Sequence, residues 1–330
     1  MINPKVTVAI PVYGVEKYIE VCARSVFEQT YDNLEFLFVN DCTKDGSFEV
    51  LENVLLDYPN RRDQVIIIEH SFNRGLSAAR NTAVEHAKGD FIFHVDSDDY
   101  IEKDAIESLI NKQQQEDADL VVGNYIIELG DGRTLYRKYL DITQTKEKIV
   151  VDCLNDVSSH SVWGILIKKS LYIDNCIRAL EGVNVGEDWQ VASQILYYAS
   201  KIAYIDGLTY HYVMSRTGSY TIEAFESVTK KKNSLFQFVQ TLDFMLEKFS
   251  NKGEQYIDII NQKRAVLIQD AMIYSCMDHD KESFDRLYTE LKKVGDKYVS
   301  LLGNNSIIVR ILKKNYYTFS FLLLIKKKMK

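Results

Sequence analysis

Apolar positions in the first third of the chain fall alternately into short continuous runs and into helical spacing. Val6–Ile10, Leu34–Val39, Val65–Ile68, Asp90–Val95 and Leu120–Ile127 are compact runs rich in β-branched and aromatic residues, which predicts strands. Between them, Val15–Gln29 places Ile19, Cys22 and Val26 on one helical face; Phe48–Leu56, Leu76–Ala87 and Glu102–Gln115 also read as helices. Pro11 is expected to end the first strand, and Lys88-Gly89 to stop the third helix. Alternation of this kind predicts an α/β fold with a mostly parallel central sheet flanked by helices. From Asp141 to Arg216 the pattern is mixed: Ser161–Lys168 and Ile202–Ile205 read as strands, and Asp188–Ala199 as a helix. From Glu223 onward it is helical, over Val228–Phe249, Tyr256–Met277 and Lys281–Val294. The expected division is a domain over 1–222 and a helical C-terminal region over 223–330.

The chain has 330 residues, 46% of them apolar and 26% charged, with three prolines, enough for a large core and too ordered a composition for a disordered chain. Charge changes this picture at one end. The net charge is −7, but Lys297, Arg310, Lys313, Lys314, Lys326, Lys327, Lys328 and Lys330 close the chain without an acidic residue, which leaves the rest at −15. An acidic body excludes nucleic acid as the expected partner. In the tail, Ile307–Leu312 and Tyr316–Ile325 are apolar and lead into Lys326–Lys328. Two readings stand: a segment lying on an anionic membrane face, or a helix docked on the protein. The five cysteines form no CxxC pair, and neither a signal peptide nor an apolar run of spanning length is visible; a cytoplasmic protein, peripheral on the membrane at most, is expected.

In an open parallel sheet, ligands bind beyond the C-terminal ends of the strands. The first strand delivers Pro11-Val12-Tyr13, the second Asp41, the third leads to Asn73, and the fourth delivers Asp96-Ser97-Asp98-Asp99. Three carboxylates in four residues repel one another unless a cation is present. Magnesium or manganese takes one or two protein carboxylates and completes its shell with substrate phosphates and water. The competing reading of this run is a solvated turn with Asp98 or Asp99 capping the next helix. Asp41 sits in ordinary turn composition, and Tyr13 reads either as a surface tyrosine or as a platform for a base. Gly186-Glu187-Asp188-Trp189 sets two carboxylates beside an aromatic ring. One of them could act as a general base, or both could simply favour a helix start.

Together these residues resemble family 2 glycosyltransferases of the GT-A fold. The likeness runs through Val6–Ser47, Asn73–Asn81, Phe93–Asp99 and Gly186-Glu187-Asp188, in order. The resemblance implies a metal-dependent, inverting, non-processive transfer from a nucleotide sugar to a glycan or lipid-linked acceptor, in surface polysaccharide synthesis. It implies that Pro11 and Tyr13 line the base pocket and that Asp41 accepts a hydrogen bond from the base. Asn73, Arg80, Asp96 and Ser97 would hold the donor, Asp98 with Asp96 would ligate Mn2+ or Mg2+, and Asp188 would be the base with Glu187 beside it. Trp163 would border the acceptor, and His211 and Arg216 would belong to a loop closing over the diphosphate. Asn40 and Gly14 depart from the family pattern, and no Gln-x-x-Arg-Trp motif of processive synthases occurs. Two other classes remain in view: a nucleotidyltransferase making nucleotide sugars, for which a Gly-rich phosphate loop is missing, and a non-catalytic nucleotide-sugar binding module. A phosphatase is disfavoured because the Asp-x-Asp run follows the fourth strand instead of the first.

Overall fold

The computed structural model describes residues 3–214, 227–295 and 297–298. The chain divides into two compact units, 1–216 and 217–330. The expected boundary at 222/223, Arg216 and the apolar, basic tail lie outside the described residues.

In the first unit the strands are β1 (Val6–Val12), β2 (Leu34–Asn40), β3 (Val65–Glu69), β4 (Phe91–His94), β5 (Tyr100–Ile101), β6 (Leu120–Glu128), β7 (Thr134–Lys138), β8 (Ile165–Lys168) and β9 (Ile202–Val213). The helices are α1 (Ile19–Phe27), α2 (Ser47–Leu56), α3 (Leu76–His86), α4 (Ala105–Glu116), α5 (Lys146–Leu154), α6 (Lys169–Asp174) and α7 (Glu187–Tyr198). Among the described residues they form one sheet in the order β3-β2-β1-β4-β8-β6-β9-β5, with β7 paired to β6. The continuous apolar runs of β1 and β2 are buried along their length, as strands covered on both faces require. Ile19, Cys22, Ala23, Val26 and Phe27 of α1 pack on them.

The parallel expectation holds for β3-β2-β1-β4. Beyond β4 the sheet is mixed: β8 enters antiparallel to both β4 and β6, and β9 then runs parallel to β6. Pro11 does not end β1, which continues to Val12 in register with Asn40. The Ala9 carbonyl faces β4, where it accepts from Val95 N–H, so the missing N–H of Pro11 also faces that side, past the last β1–β4 pair at Ala9 and His94. Gly89 is needed for a different reason than helix termination. A Cβ there would lie 2.6 Å from Thr7 N and 2.8 Å from Lys5 O, so a side chain would push β1 away.

The second unit contains α8 (Val228–Phe249), α9 (Glu254–Met277) and α10 (Lys281–Val294). Val239, Ile268, Met272, Phe284 and Leu287 form its core. Lys232 is buried because Asp278 and Asp280 meet its ammonium at 2.6 and 2.8 Å. No helix among the described residues is long and apolar enough to cross a membrane.

Candidate active site

The loops after β1 and β2 are stitched to one another by side chains. Gly14 N–H donates to Thr43 Oγ1 at 2.9 Å, Glu16 N–H to Asp45 at 2.9 Å, and Gly46 N–H to Glu16 at 3.0 Å. Tyr13 leaves the end of β1 with half of its surface exposed (51%), while Pro11 is buried. Asp41 is buried, and its carboxylate already has three protein donors. His70 Nδ1 lies 2.7 Å from Oδ1, Arg74 N–H donates to the same oxygen at 2.7 Å, and Gly75 N–H donates to Oδ2 at 2.8 Å. A base would have to share this carboxylate. Its visible task is to fix the loop 70–75, which presents Asn73 to solvent. Gly75 begins α3 with φ +88°, in the left-handed region that favours glycine.

Helix α3 joins the two acidic motifs. Its small residues Ser77, Ala78 and Ala79 let the segment 179–183 come close: Ser77 Oγ donates to Val183 O at 2.6 Å, and the Asn81 amide exchanges bonds of 2.9 and 3.0 Å with Ala179. One turn along, Arg80 is 4% exposed. Its guanidinium meets Asp96 at 2.7 Å, Glu187 at 3.0 Å and Asp188 at 2.5 Å. Gly186, at φ +74°, turns the chain so that Glu187 and Asp188 occupy the first turn of α7. Trp189 points the other way, into the core, where its N–H donates to Cys153 O at 3.2 Å.

Burial pushes the Asp188 carboxyl well above the usual carboxylate range; Arg80 opposes the rise, and Glu187 and Asp96 add to it. Glu187 is also raised by burial against the pull of Arg80. His94, two residues before Asp96, is buried with Nε2 3.0 Å from Tyr172 OH. Its pKa is pushed down to about 3, by burial and then by the Arg80 charge, so the ring is neutral.

The acidic turn itself is held from β9. Asp99 is buried and caps no helix: α4 starts at Ala105, with Asp104 as N-cap. Asp99 instead accepts from Tyr210 OH and from Val213 N–H, both at 2.8 Å. Ser97 is buried, whereas Asp96 and Asp98 are partly exposed. No group of three or more His, Cys, Asp or Glu side chains converges into a protein-only cage among the described residues. A divalent cation shared with a diphosphate needs only one or two protein carboxylates, and Asp98 with Asp96 can supply them. Burial first, then the charges of Asp98 and Asp96, raise the Asp99 carboxyl, a crowding that a cation would relieve. The donor set therefore fits Mn2+ or Mg2+.

Trp163 is buried, and His211 lies in a strand where a loop was expected. Trp163 is 7% exposed and packs in an aromatic stack with Tyr210 (4.4 Å, 15°) and Tyr212 (5.4 Å, 21°), with Tyr125 edge-on at 5.1 Å. Its ring is core, and Tyr125 and Tyr212 are the half-buried members of that wall. His211 is in strand β9 and on no loop. It stacks on Tyr100 at 4.1 Å, with Glu102 and Glu128 at 2.9 and 3.2 Å from its two ring nitrogens. Tyr210 was not visible as a site residue, because the strand expected at Ile202–Ile205 stopped short of it. The alternation Tyr204, Tyr210, Tyr212 was the available signal.

Known proteins resemble this chain in sequence and in fold. Glycosyltransferase GlyA of Streptococcus pneumoniae is 28% identical over 332 aligned positions, covering 94% of this chain and 46% of the relative, so this chain spans about half of that protein. The poly(ribitol-phosphate) beta-glucosyltransferase of Bacillus spizizenii is 27% identical over 226 positions, covering 67% of this chain and 34% of the relative. The crystal structure of Staphylococcus aureus TarS 1–349 in complex with UDP-GlcNAc superposes with a TM-score of 0.67 at 18% identity, covering 95% of this chain and 92% of that one, a likeness of fold. The profile described as Glycosyl transferase family 2 matches residues 7–172, from the first residues of β1 through the acidic turn and on into α6. That span is just over half of the chain and contains every strand of the parallel half-sheet, and on it the chain belongs to glycosyl transferase family 2.

Proposed function

We propose that this protein transfers a sugar from a UDP-sugar to a hydroxyl of a glycan or lipid-linked acceptor, in a single inverting, non-processive displacement serving cell-surface polysaccharide synthesis. The observation that carries this reading is Arg80, whose one guanidinium touches Asp96 of the donor turn and both Glu187 and Asp188. The names of two relatives support the substrate classes: one structure holds UDP-GlcNAc, and one relative glucosylates a poly(ribitol phosphate).

In this reading Tyr13 stacks on the base above buried Pro11, and Asp41 supports the nucleotide through the loop that carries Asn73. Asp96 and Ser97 lie by the ribose and diphosphate. A divalent metal held by Asp98 and Asp96 would supply neutralisation of the charge that develops on the departing diphosphate. Asp188 takes the proton of the acceptor hydroxyl as its oxygen attacks the anomeric carbon from the face opposite the diphosphate. A carboxylate raised by burial is a stronger base than an exposed one. Arg80 keeps Asp188 ionised and oriented, and Glu187 shares that guanidinium. The tail Ile307–Lys330 makes peripheral contact with an anionic membrane face near lipid-linked acceptors; the full chain then cosediments with anionic vesicles, and a chain lacking 306–330 does not.

A thermal-shift screen of nucleotide sugars with and without Mn2+ tests the assignment. A UDP-sugar should raise the melting temperature in a metal-dependent way, because a ligand bound only by the folded state stabilises it by mass action. No shift with any nucleotide sugar would sink the reading.

A further inference from the structure

Three connections run from β9 to the segment around the acidic turn. The first is a ladder: β5 pairs antiparallel with β9, Tyr100 opposite His211 and Ile101 opposite Tyr210, so β9 grips the backbone just after the turn. The second is Asp99, which accepts from Tyr210 OH and from Val213 N–H, each at 2.8 Å. The third is the Tyr210 hydroxyl, which also accepts from Asp96 N–H at 3.0 Å. One buried phenol thus donates to the last residue of the run and accepts from the first. A hydroxyl can do both at once. The four residues are closed further by Asp99 N–H donating to Asp96 O at 3.0 Å.

The phenol is itself fixed in place. Its ring lies on Trp163 at 4.4 Å and 15°. The next residue, Gly164, has φ +71°, and a Cβ there would sit 3.2 Å from Tyr210 Cβ and Cγ. Gly164 N–H in turn donates to His94 O at 3.2 Å, at the end of β4 from which the turn departs. The pair Trp163-Gly164 is therefore the bed on which Tyr210 rests, and that bed is bonded to the same strand that presents Asp96.

We infer that Tyr210 and Asp99 are positioning residues that set the spacing of Asp96 and Asp98, and through it the metal-dependent grip on the donor diphosphate. This inference rests on the proposed reading of the turn as the metal and diphosphate site. Neither residue needs to touch the donor. Asp99 is turned away from solvent, and Tyr210 is fully buried behind the turn. Ligands two residues apart on a tight turn can share one octahedral ion only if the turn is held at the right width, and Mg2+ tolerates little deviation. An untethered Asp96 N–H would leave the turn free to open.

The test is titration calorimetry on the full chain with UDP and, separately, GDP as probes, each with Mn2+ and with metal removed by chelator. Tyr210→Phe keeps the stacked ring and deletes only the hydroxyl. It should weaken Mn2+-dependent nucleotide binding roughly tenfold, the scale expected for a lost bond to a charged group. Metal-free binding should be unchanged, and the Mn2+ concentration at half-saturation should rise. A purely structural role would lower the melting temperature and leave that split unmoved. Asp99→Asn keeps an acceptor for Val213 N–H but loses the carboxylate for Tyr210, and should show the same split. It also carries the test should Tyr210→Phe fail to fold. Wild-type behaviour in both variants, equal losses with and without metal, or failure of both to fold would each overturn the clamp. If the wild type itself binds neither nucleotide in a Mn2+-dependent way, the reading of the site fails and the clamp with it. Intact wild-type binding beside unaltered variants removes the clamp alone.

Discussion

Replacing Arg80 by methionine should damage stability more at neutral than at acidic pH, by an amount that follows from its three partners. Methionine fills similar volume but leaves Asp96, Glu187 and Asp188 facing one another where a guanidinium lay within 2.5 to 3.0 Å of each. Removing one partner of a buried ion pair costs about 3–5 kcal/mol, because the surviving charge stays desolvated. That is a large share of the roughly 5–15 kcal/mol of an ordinary domain. The pH dependence follows from the direction of the shifts. Burial raises Asp188 and Glu187 in the folded state, and Arg80 pulls both down. A carboxyl whose folded pKa is raised destabilises the fold at pH above that folded value. The penalty fades as pH falls, and is gone below the unfolded value of about 4. Without Arg80 the rise is larger, so the deficit is full near neutrality and shrinks through the carboxylate range. Urea unfolding followed by tryptophan fluorescence reads this cleanly. The chain has two tryptophans, Trp163 and Trp189, both buried within residues 1–216, so the signal reports the first unit. With a slope of about 2 kcal/mol per molar urea, the midpoint should fall by about 2 M near pH 7.5 and by clearly less near pH 4.5. A loss below about 1 kcal/mol, or one independent of pH, would refute this account of the cluster.

Asp188→Asn should abolish transfer while donor binding by calorimetry persists. In the wild type the acid limb of the pH–rate profile should lie above the ordinary carboxylate range, since burial raises that group; an acid limb near pH ~4, or substantial turnover in the variant, contradicts the base assignment. Tyr13→Ala should weaken nucleotide binding by about 1–3 kcal/mol through lost base stacking and leave the urea midpoint unchanged, because the ring is half exposed; unaltered affinity rules the platform out. Gly75→Ala meets both a φ of +88° and Asn184 Oδ1 at 2.5 Å from the new Cβ, and should cost about 1–3 kcal/mol in the same fluorescence assay; a wild-type midpoint would show that the turn before α3 relaxes without strain.

Much of the first unit was legible from periodicity. The strands β1, β2 and β4 are short apolar runs buried on both faces, β3 is an apolar run at the sheet edge that is only partly buried, and α1 to α3 carry helical spacing between them, so local pattern and tertiary environment agree. The second half of the sheet was less legible, for local reasons. β9 was expected to end at Ile205 because Asp206-Gly207 interrupts the apolar run; in the fold the ladder to β6 shifts register there and resumes at Leu208. β5 has only two residues, too few for any period to register, and β7 is an exposed edge strand whose alternation has no buried face to mark it.

At the site, sequence order alone determined which chemistry-bearing residues stand at strand ends: Tyr13, Asp41 and the run Asp96–Asp99. It also determined that Glu187 and Asp188 open a helix. Periodicity reports which way a residue faces within its own element and carries nothing about partners far along the chain. Only the tertiary structure decided that Arg80 lies between motifs that are about ninety residues apart. The same holds for Asp41, which spends its carboxylate on the 70–75 loop, and for Trp163, whose ring is core. Asp99, which could have been a helix cap in sequence, is tied instead to Tyr210, 111 positions away. A hydrogen bond between residues that far apart depends on sheet register, and register is set by the packing of the whole sheet.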